Sequence, residues 1–526
     1  MSINPILSRN FIFATASIKI GAYLGFLFLL FGVVFLLPSV SFHRYVLDFA
    51  TNIIEAIRQR VLTENGLLAL NHMLNIFCIF LLGIGSVMIS ICVPLIQHPL
   101  VLQSVCDLLF VELPSKRIGD LSKEGKKYYA GMIWILVLFA VFFNGFYLLR
   151  SFHPDDDYAI YTYFAEASTR GYNPYNLPSN YKTEILDKIV PYIGAPPKVV
   201  DQRTADYPPL LMFVYSALFD SFGVNGLQYA FVISFVCSML LYGYYITSNL
   251  CLNDEHIVAT FHSLVPFFFI IFFGFSGLFA QCWFNPIGDK AIFAFLILLM
   301  IITYRHVFLF AVVLGFVASL KWIALPIFCL YIIQLWLQNK RSSQVFVISL
   351  IFLAIFSLSH LLYYPHCLNG YNFRNAHWNS VCHESIFLYL FKIGVYRKGV
   401  SELFTALGLV FLLYLIIRRK IATEQLIVLT VVQLFIFNTN PSFNRILVTI
   451  FALSLIMPDV KIWFFQFIMA TIYLLFHNFF TPTLHVQILV WFIIWTWVLS
   501  IIYFSLRTCL KISPNTSSFM LDCKIS

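Results

Sequence analysis

Three consecutive carboxylates, Asp155, Asp156 and Asp157, follow His153-Pro154 just beyond an apolar run that ends at Arg150. Carboxylates at a membrane edge are costly unless a site uses them. Crowded like charges raise one another's pKa and partial desolvation adds to the rise, which moves a carboxylate toward the range a general base needs. Asp157 is the candidate base, Asp156 the second catalytic candidate, and Asp155 a neighbour that shapes the site. The same triplet has two other uses. Aspartate oxygens hold Mg²⁺ or Mn²⁺, and an acidic residue also caps the start of a helix, although capping needs one acid rather than three.

The cations form the complementary set. Lys321 lies deep in an apolar stretch, where a lysine costs several kcal/mol unless it is paired or wetted. An anionic phosphate is a fitting partner for it; snorkelling beside Trp322 toward the interface is the other reading. Arg445, in Asn440-Pro441-Ser442-Phe443-Asn444-Arg445, stands at a helix start, where a phosphate also suits the dipole, as does plain capping. A carboxylate base with a cation suits transfer from a donor that leaves as a phosphate: the base takes a proton from the attacking hydroxyl, and the cation receives the leaving group.

The elements that must carry these residues are membrane helices. The 526-residue chain is 60% hydrophobic and only 11% charged, with a mean hydropathy of +0.85; soluble proteins carry about 25% charged residues. Runs suited to spanning a bilayer fall at 11–37, 67–97, 128–150, 225–247, 257–280, 344–365, 400–417, 424–438, 445–457, 461–480 and 483–506. A further short or tilted helix begins at 209–222. The first run reads as a retained anchor rather than a signal peptide. The net charge of +9 sits at helix ends, at Lys116, Arg117, Lys123, Lys126 and Lys127, at Lys340 and Arg341, at Arg418, Arg419 and Lys420, and at Arg507 and Lys511. By the positive-inside rule these positions and the N-terminus face inward and 151–208 faces outward. A basic groove for nucleic acid would need this charge on one surface, so no nucleic-acid partner is expected.

Within 151–208, Tyr158, Tyr161, Phe164, Ala165 and Ser168 recur at helical spacing, with Thr162, Glu166 and Arg170 elsewhere on the wheel, and Gly171 and Pro174 end the helix. Such a face suits either the membrane interface or the protein's own core. Arg305-His306 and Lys321 isolate 307–320, about 21 Å of helix against a hydrocarbon core of about 30 Å. A span that short needs protein or a wet cavity around it. The 11 cysteines show no metal-binding spacing; Cys367 and Cys382 share an outer loop and are close enough in sequence to pair. The outer loop 366–399 carries Arg397 and Lys398, a mild exception to the charge rule.

The motifs resemble those of the GT-C superfamily of polyprenyl-phosphate-sugar glycosyltransferases. His153-Pro154 followed by Asp157-Tyr158, with the closing Asp206-Tyr207-Pro208-Pro209, is similar to the dolichyl-phosphate-glucose glucosyltransferases. Gly171-Tyr172-Asn173-Pro174-Tyr175 followed by Tyr207-Pro208-Pro209 is similar to the bacterial polyprenyl-phosphate mannosyl- and arabinofuranosyltransferases. The resemblance covers roughly residues 128–340. It implies a GT-C-like all-α bundle of roughly 11–14 membrane helices with a large first outer loop, the base role for Asp157, and substrate-binding roles for Asp155, Tyr158, Tyr207, Lys321 and Arg445. The family's Gly-Gln-x-Asp element is represented here by Ala280-Gln281 and Asp289, a departure that leaves Gln281 and Asp289 as looser substrate-binding candidates. It further implies an inverting transfer of a mannose-, glucose- or arabinose-class sugar to a lipid or glycan hydroxyl with no cofactor, since the nearer relatives with monophosphate donors work without metal. The membrane would be the bacterial inner membrane or that of the endoplasmic reticulum.

The expected organisation is an N-terminal membrane pair with a cytoplasmic loop (1–127), a core (128–340), a C-terminal membrane region (341–511) and a short tail (512–526). Many spans with a buried lysine also fit a transporter or flippase, although transporters commonly show two matching halves and none is visible here. A polysaccharide polymerase or ligase, or an assembly factor, completes the field.

Overall fold

The computed structural model describes residues 123–150, 156–178, 181, 204–205, 207–251, 288–338, 341–370, 399–419 and 421–437, with the isolated residues 23–28, 30, 270, 455, 492, 495–496 and 499–500. The expected spans at 67–97 and 461–480 and the tail lie outside the described residues, as do nearly all of those at 11–37, 257–280, 445–457 and 483–506.

Among the described residues the protein is all-helical. The helices are α1 (Lys123–Arg150), α2 (Asp156–Thr169), α3 (Pro209–Phe222), α4 (Gly226–Cys251), α5 (Gly288–Thr303), α6 (Val307–Leu320), α7 (Ala324–Leu337), α8 (Ser342–Leu361), α9 (Val400–Ile417) and α10 (Thr423–Ile436). Among the described residues, four stretches are long and apolar enough to cross a membrane: Gly125–Phe142, Pro209–Ser248, Ser342–Leu361 and Val400–Ile417.

Local chemistry explains most boundaries. Pro209 opens α3 at the first helical position, where a missing N–H costs nothing. Gly223 ends α3 with φ +62, followed by the 3₁₀ turn Gly223–Asn225 and then α4, so the 209–248 stretch is a broken helix. α9 follows Gly399 and carries Glu402 in its first turn, where a carboxylate meets the positive end of the dipole. The side chain of Gln425 accepts the Ala422 N–H at 3.1 Å and so seals the start of α10.

Contacts divide the chain into two compact units, one of residues 1–151, 235–286 and 458–490, the other of 152–234, 287–457 and 491–526. In the first unit α1 packs on the second half of α4. Gly243 lies at a close approach there: an added Cβ would come within 3.2 Å of Val137 Cγ2 and 3.3 Å of the Trp134 ring, so these side chains would have to give by a few tenths of an ångström.

The second unit contains α2, α3, the start of α4, and α5 to α10. Its centre is α6, whose Phe310, Ala311, Val313, Leu314, Gly315, Val317, Ala318, Ser319 and Leu320 are buried. One face of the short helix is therefore packed in protein, while Phe308, Leu309, Val312 and Phe316 form an exposed apolar face on the other side, so protein encloses it on one side only. α8 runs closely beside it: a Cβ on Gly315 would meet Ile355 Cβ at 3.0 Å and the Phe352 carbonyl at 3.1 Å. α7 folds back from Lys321-Trp322-Ile323 and packs through Leu330 on Leu412, Leu415, Leu426 and Leu429 of α9 and α10.

α2 settles the choice between interface and core. Tyr158, Tyr161, Thr162, Tyr163, Phe164, Ala165, Glu166 and Ala167 are all buried, so the helix is inserted in the protein on nearly every side and the interfacial reading is set aside. The polar residues are accommodated internally. Thr162 Oγ1 donates to the Tyr158 carbonyl at 2.7 Å, and Glu166 pairs with Arg170 at 2.6 Å.

Candidate functional site

The site grows from the two ends of the 151–208 segment. α2 leaves the loop's start and stops at Gly171, where φ is +82. The chain then turns through Asn173, whose side chain accepts the Tyr175 N–H at 3.0 Å, an Asx turn. The turn meets the far end of the loop, where the Ala205 N–H donates to the Pro174 carbonyl at 2.9 Å and the Tyr175 hydroxyl to the Tyr207 carbonyl at 2.5 Å. The Gly-Tyr-Asn-Pro-Tyr and Tyr-Pro-Pro elements, 32 residues apart at the Tyr175–Tyr207 bond, are thus held together by one backbone bond and one side-chain hydroxyl.

Tyr207 enters a run of aromatic rings. Its centroid lies 4.5 Å from that of Tyr161; Tyr161 lies 5.0 Å from Tyr215, Tyr215 6.4 Å from Phe231, and Phe231 6.4 Å from Tyr158. These tilted and edge-on contacts each add about 0.5–1.5 kcal/mol beyond area burial. The Tyr158 hydroxyl donates to the Val224 carbonyl, which ties α2 to the 3₁₀ turn after α3. Burial pushes the Tyr158 phenol well above its ordinary range, outweighing the opposing influence of the Gln228 backbone, so the residue stays a neutral donor.

Lys321 stands where α6 ends. Its backbone is extended (φ −148, ψ 129) and its N–H still closes the last turn on Val317 at 2.7 Å. Only 7% of the residue is exposed. The ammonium lies 5.6 Å from the centre of the Tyr207 ring and 5.1 Å from that of Phe293 on α5. Two aromatic faces at this range attract a cation by roughly 0.5–2 kcal/mol each. The side chain is turned onto these rings inside the protein, not outward as snorkelling would have it.

The structure therefore brings Tyr207 and Lys321 together and adds Tyr161 and Phe293, which sequence reading did not single out as site residues. Tyr161 was legible as part of an aromatic face; Phe293 carried no signal among 58 phenylalanines. Asp156 and Asp157 lie in the first turn of α2, with Tyr161 one turn beyond position 157, and Asp289 lies in the first turn of α5; for these three the description extends to the backbone. Asp155, Gln281 and Arg445 lie outside the described residues. Tyr158 is placed at the far end of the aromatic run from Lys321. Among the described residues no group of three or more His, Cys, Asp or Glu is placed to hold a metal ion, a statement that does not reach the aspartate triplet. Cys367 is a free, buried thiol whose Sγ faces the His360 carbonyl at 3.5 Å, and Cys382, its expected partner, lies outside the described residues. Cys367 sits in an apolar cluster with Tyr163, Phe164, Tyr175 and Met212.

The chain matches no protein-family model, no curated protein and no solved structure.

Proposed function

We propose that the chain is a multi-pass membrane glycosyltransferase that moves a sugar of the mannose, glucose or arabinose class from a polyprenyl-phosphate donor to a lipid or glycan hydroxyl. The reaction occurs at the outer or lumenal face, in the bacterial inner membrane or the endoplasmic reticulum. The carrying observation is the buried Lys321 ammonium set over Tyr207, the residue that ends the first outer loop. In this reading Asp157 takes the proton of the acceptor hydroxyl. The acceptor oxygen bonds to the anomeric carbon as the bond from that carbon to the phosphate oxygen breaks. The electron pair leaves on the phosphate, where Lys321 stabilises the charge in a site with little water to screen it. Attack opposite the leaving group inverts the anomeric centre.

Transfer from a synthetic short-chain polyprenyl-phosphate sugar by the purified protein tests the proposal. Asp157→Asn is expected to lower turnover about a thousandfold with expression intact, the scale of a lost general base, and Asp155→Asn to lower it less. Near-normal turnover by Asp157→Asn would remove that residue as the base, and ATP- or gradient-driven substrate movement without transfer would favour the transporter reading. Orientation is tested by impermeant thiol labelling of Ser179→Cys and Ser122→Cys in intact cells: the first is expected to react and the second to stay protected.

A further inference from the structure

We propose that Tyr175 is a positioning residue for the Tyr207–Lys321 pair and that the 363–370 segment is the brace that holds it there. The inference rests on Lys321 as the group that receives the donor phosphate. It extends the site to a segment far downstream of the first outer loop.

Tyr175 is fully buried and makes contact on three sides. Its hydroxyl donates to the Tyr207 carbonyl at 2.5 Å. That carbonyl precedes Pro208 and Pro209, whose rings supply no N–H, so a side-chain donor from elsewhere fixes the peptide that carries the Tyr207 ring. Tyr161 supports the ring from one side at 4.5 Å, and Lys321 Nζ lies over it at 5.6 Å. The orientation of the ring in front of the ammonium is thus set partly through Tyr175.

Tyr175 is in turn held by residues beyond α8. Asn369 Nδ2 donates to the Tyr175 carbonyl at 3.3 Å, and the Tyr363 ring lies 5.5 Å from the Tyr175 ring. The Tyr363 hydroxyl hydrogen-bonds Ser168 of α2 at 3.0 Å, and Cys367 is buried in the same cluster. Gly370 makes the closest approach. A Cβ there would stand 2.6 Å from the Ala205 carbonyl and 3.1 Å from the Tyr175 ring, so the brace closes only with glycine at this position.

A residue that merely supports the fold would change stability; a positioning residue changes what Lys321 does. The experiment is a double-mutant cycle on the full-length protein in nanodiscs, reading the Kd of a synthetic short-chain polyprenyl phosphate. Lys321→Met is expected to weaken binding about 10- to 100-fold, the scale of a charge-assisted contact. Tyr175→Phe, which removes one hydroxyl and keeps the ring, is expected to weaken it about fivefold. The double variant should bind no more weakly than Lys321→Met alone; the thermal midpoint of Tyr175→Phe is expected to fall by a few degrees as the Tyr207 carbonyl loses its donor, so the Kd is read on the folded protein well below that midpoint. Should Tyr175→Phe not purify as a folded protein, Asn369→Ala is expected to give the same coupled pattern. A Tyr175→Phe effect that adds in full to that of Lys321→Met, or no effect at all, overturns the positioning role and leaves the donor reading standing. Lys321→Met binding like the parent overturns the donor reading and this inference with it.

Discussion

The two ends of α6 meet opposite solutions to the same problem, polar groups at the limits of an apolar helix. At the Lys321 end a buried ammonium faces the rings of Phe293 and Tyr207. At the His306 end the polar groups are knotted by hydrogen bonds. Gln334 Nε2 donates to the Ile421 carbonyl at 3.1 Å, Thr423 donates to Gln334 Oε1 at 3.1 Å, and Arg419 Nη2 reaches the Leu337 carbonyl at 3.2 Å. Tyr304, in the turn between α5 and α6, is pushed up to about 12 by burial and by the neighbouring Glu424 charge. Arg305 and Arg419 there remain exposed. An end sealed in this way gains stability from satisfied buried groups. An end that keeps a cation over aromatic faces gives up part of the cation's hydration, at a cost that an arriving anion can offset.

The sharpest way to break this contrast is to remove one charge from each end. Lys321→Met is expected to lower transfer by about 10- to 100-fold, whereas Arg305→Met leaves it within twofold. Equal losses in the two variants would show that charge at either end matters only in general. The sealed end is tested by stability. Gln334→Ala leaves the Ile421 carbonyl and the Thr423 hydroxyl without their buried partner, a cost of about 2 kcal/mol. It should lower the thermal midpoint while transfer per folded molecule stays at the parent value. The aromatic contribution at the open end is smaller. Tyr207→Leu removes the ring and is expected to cost about 1 kcal/mol, or about fivefold in donor KM, while Tyr207→Phe keeps the ring and should change donor KM least of all. If Tyr207→Phe fell as far as Tyr207→Leu, the hydroxyl rather than the ring face would be the working group.

Legibility followed the range of the forces involved. Local signals placed several helices to the residue. Arg305-His306 and Lys321 bracket 307–320, which is α6, and Gly399 with Arg418 brackets 400–417, which is α9. The start at Pro209 and the stop at Gly171 were equally visible, because backbone restriction by proline and a positive φ at glycine belong to single residues. The face of α2 was misjudged where the wheel treated Thr162 and Glu166 as a polar side. Thr162 bonds its own helix and Glu166 pairs with Arg170, so both are buried beside the tyrosines. No periodicity distinguishes a polar residue satisfied within its helix from one that faces water.

What the sequence by itself determined is the class of the molecule and its candidate chemistry: a helical chain far too apolar for water, an aspartate triplet beyond a membrane-length helix, and a lysine at the end of a short apolar helix. These follow from composition, from helix length and from the cost of charge in hydrocarbon, all of which act on the chain residue by residue. Only the tertiary structure decided that Lys321 faces Tyr207 and Phe293, that Tyr175 holds the Tyr207 carbonyl, and that Asn369 and Gly370 brace Tyr175. Those contacts join residues from 28 to 195 positions apart. They depend on packing between helices, which leaves no periodic trace along the chain.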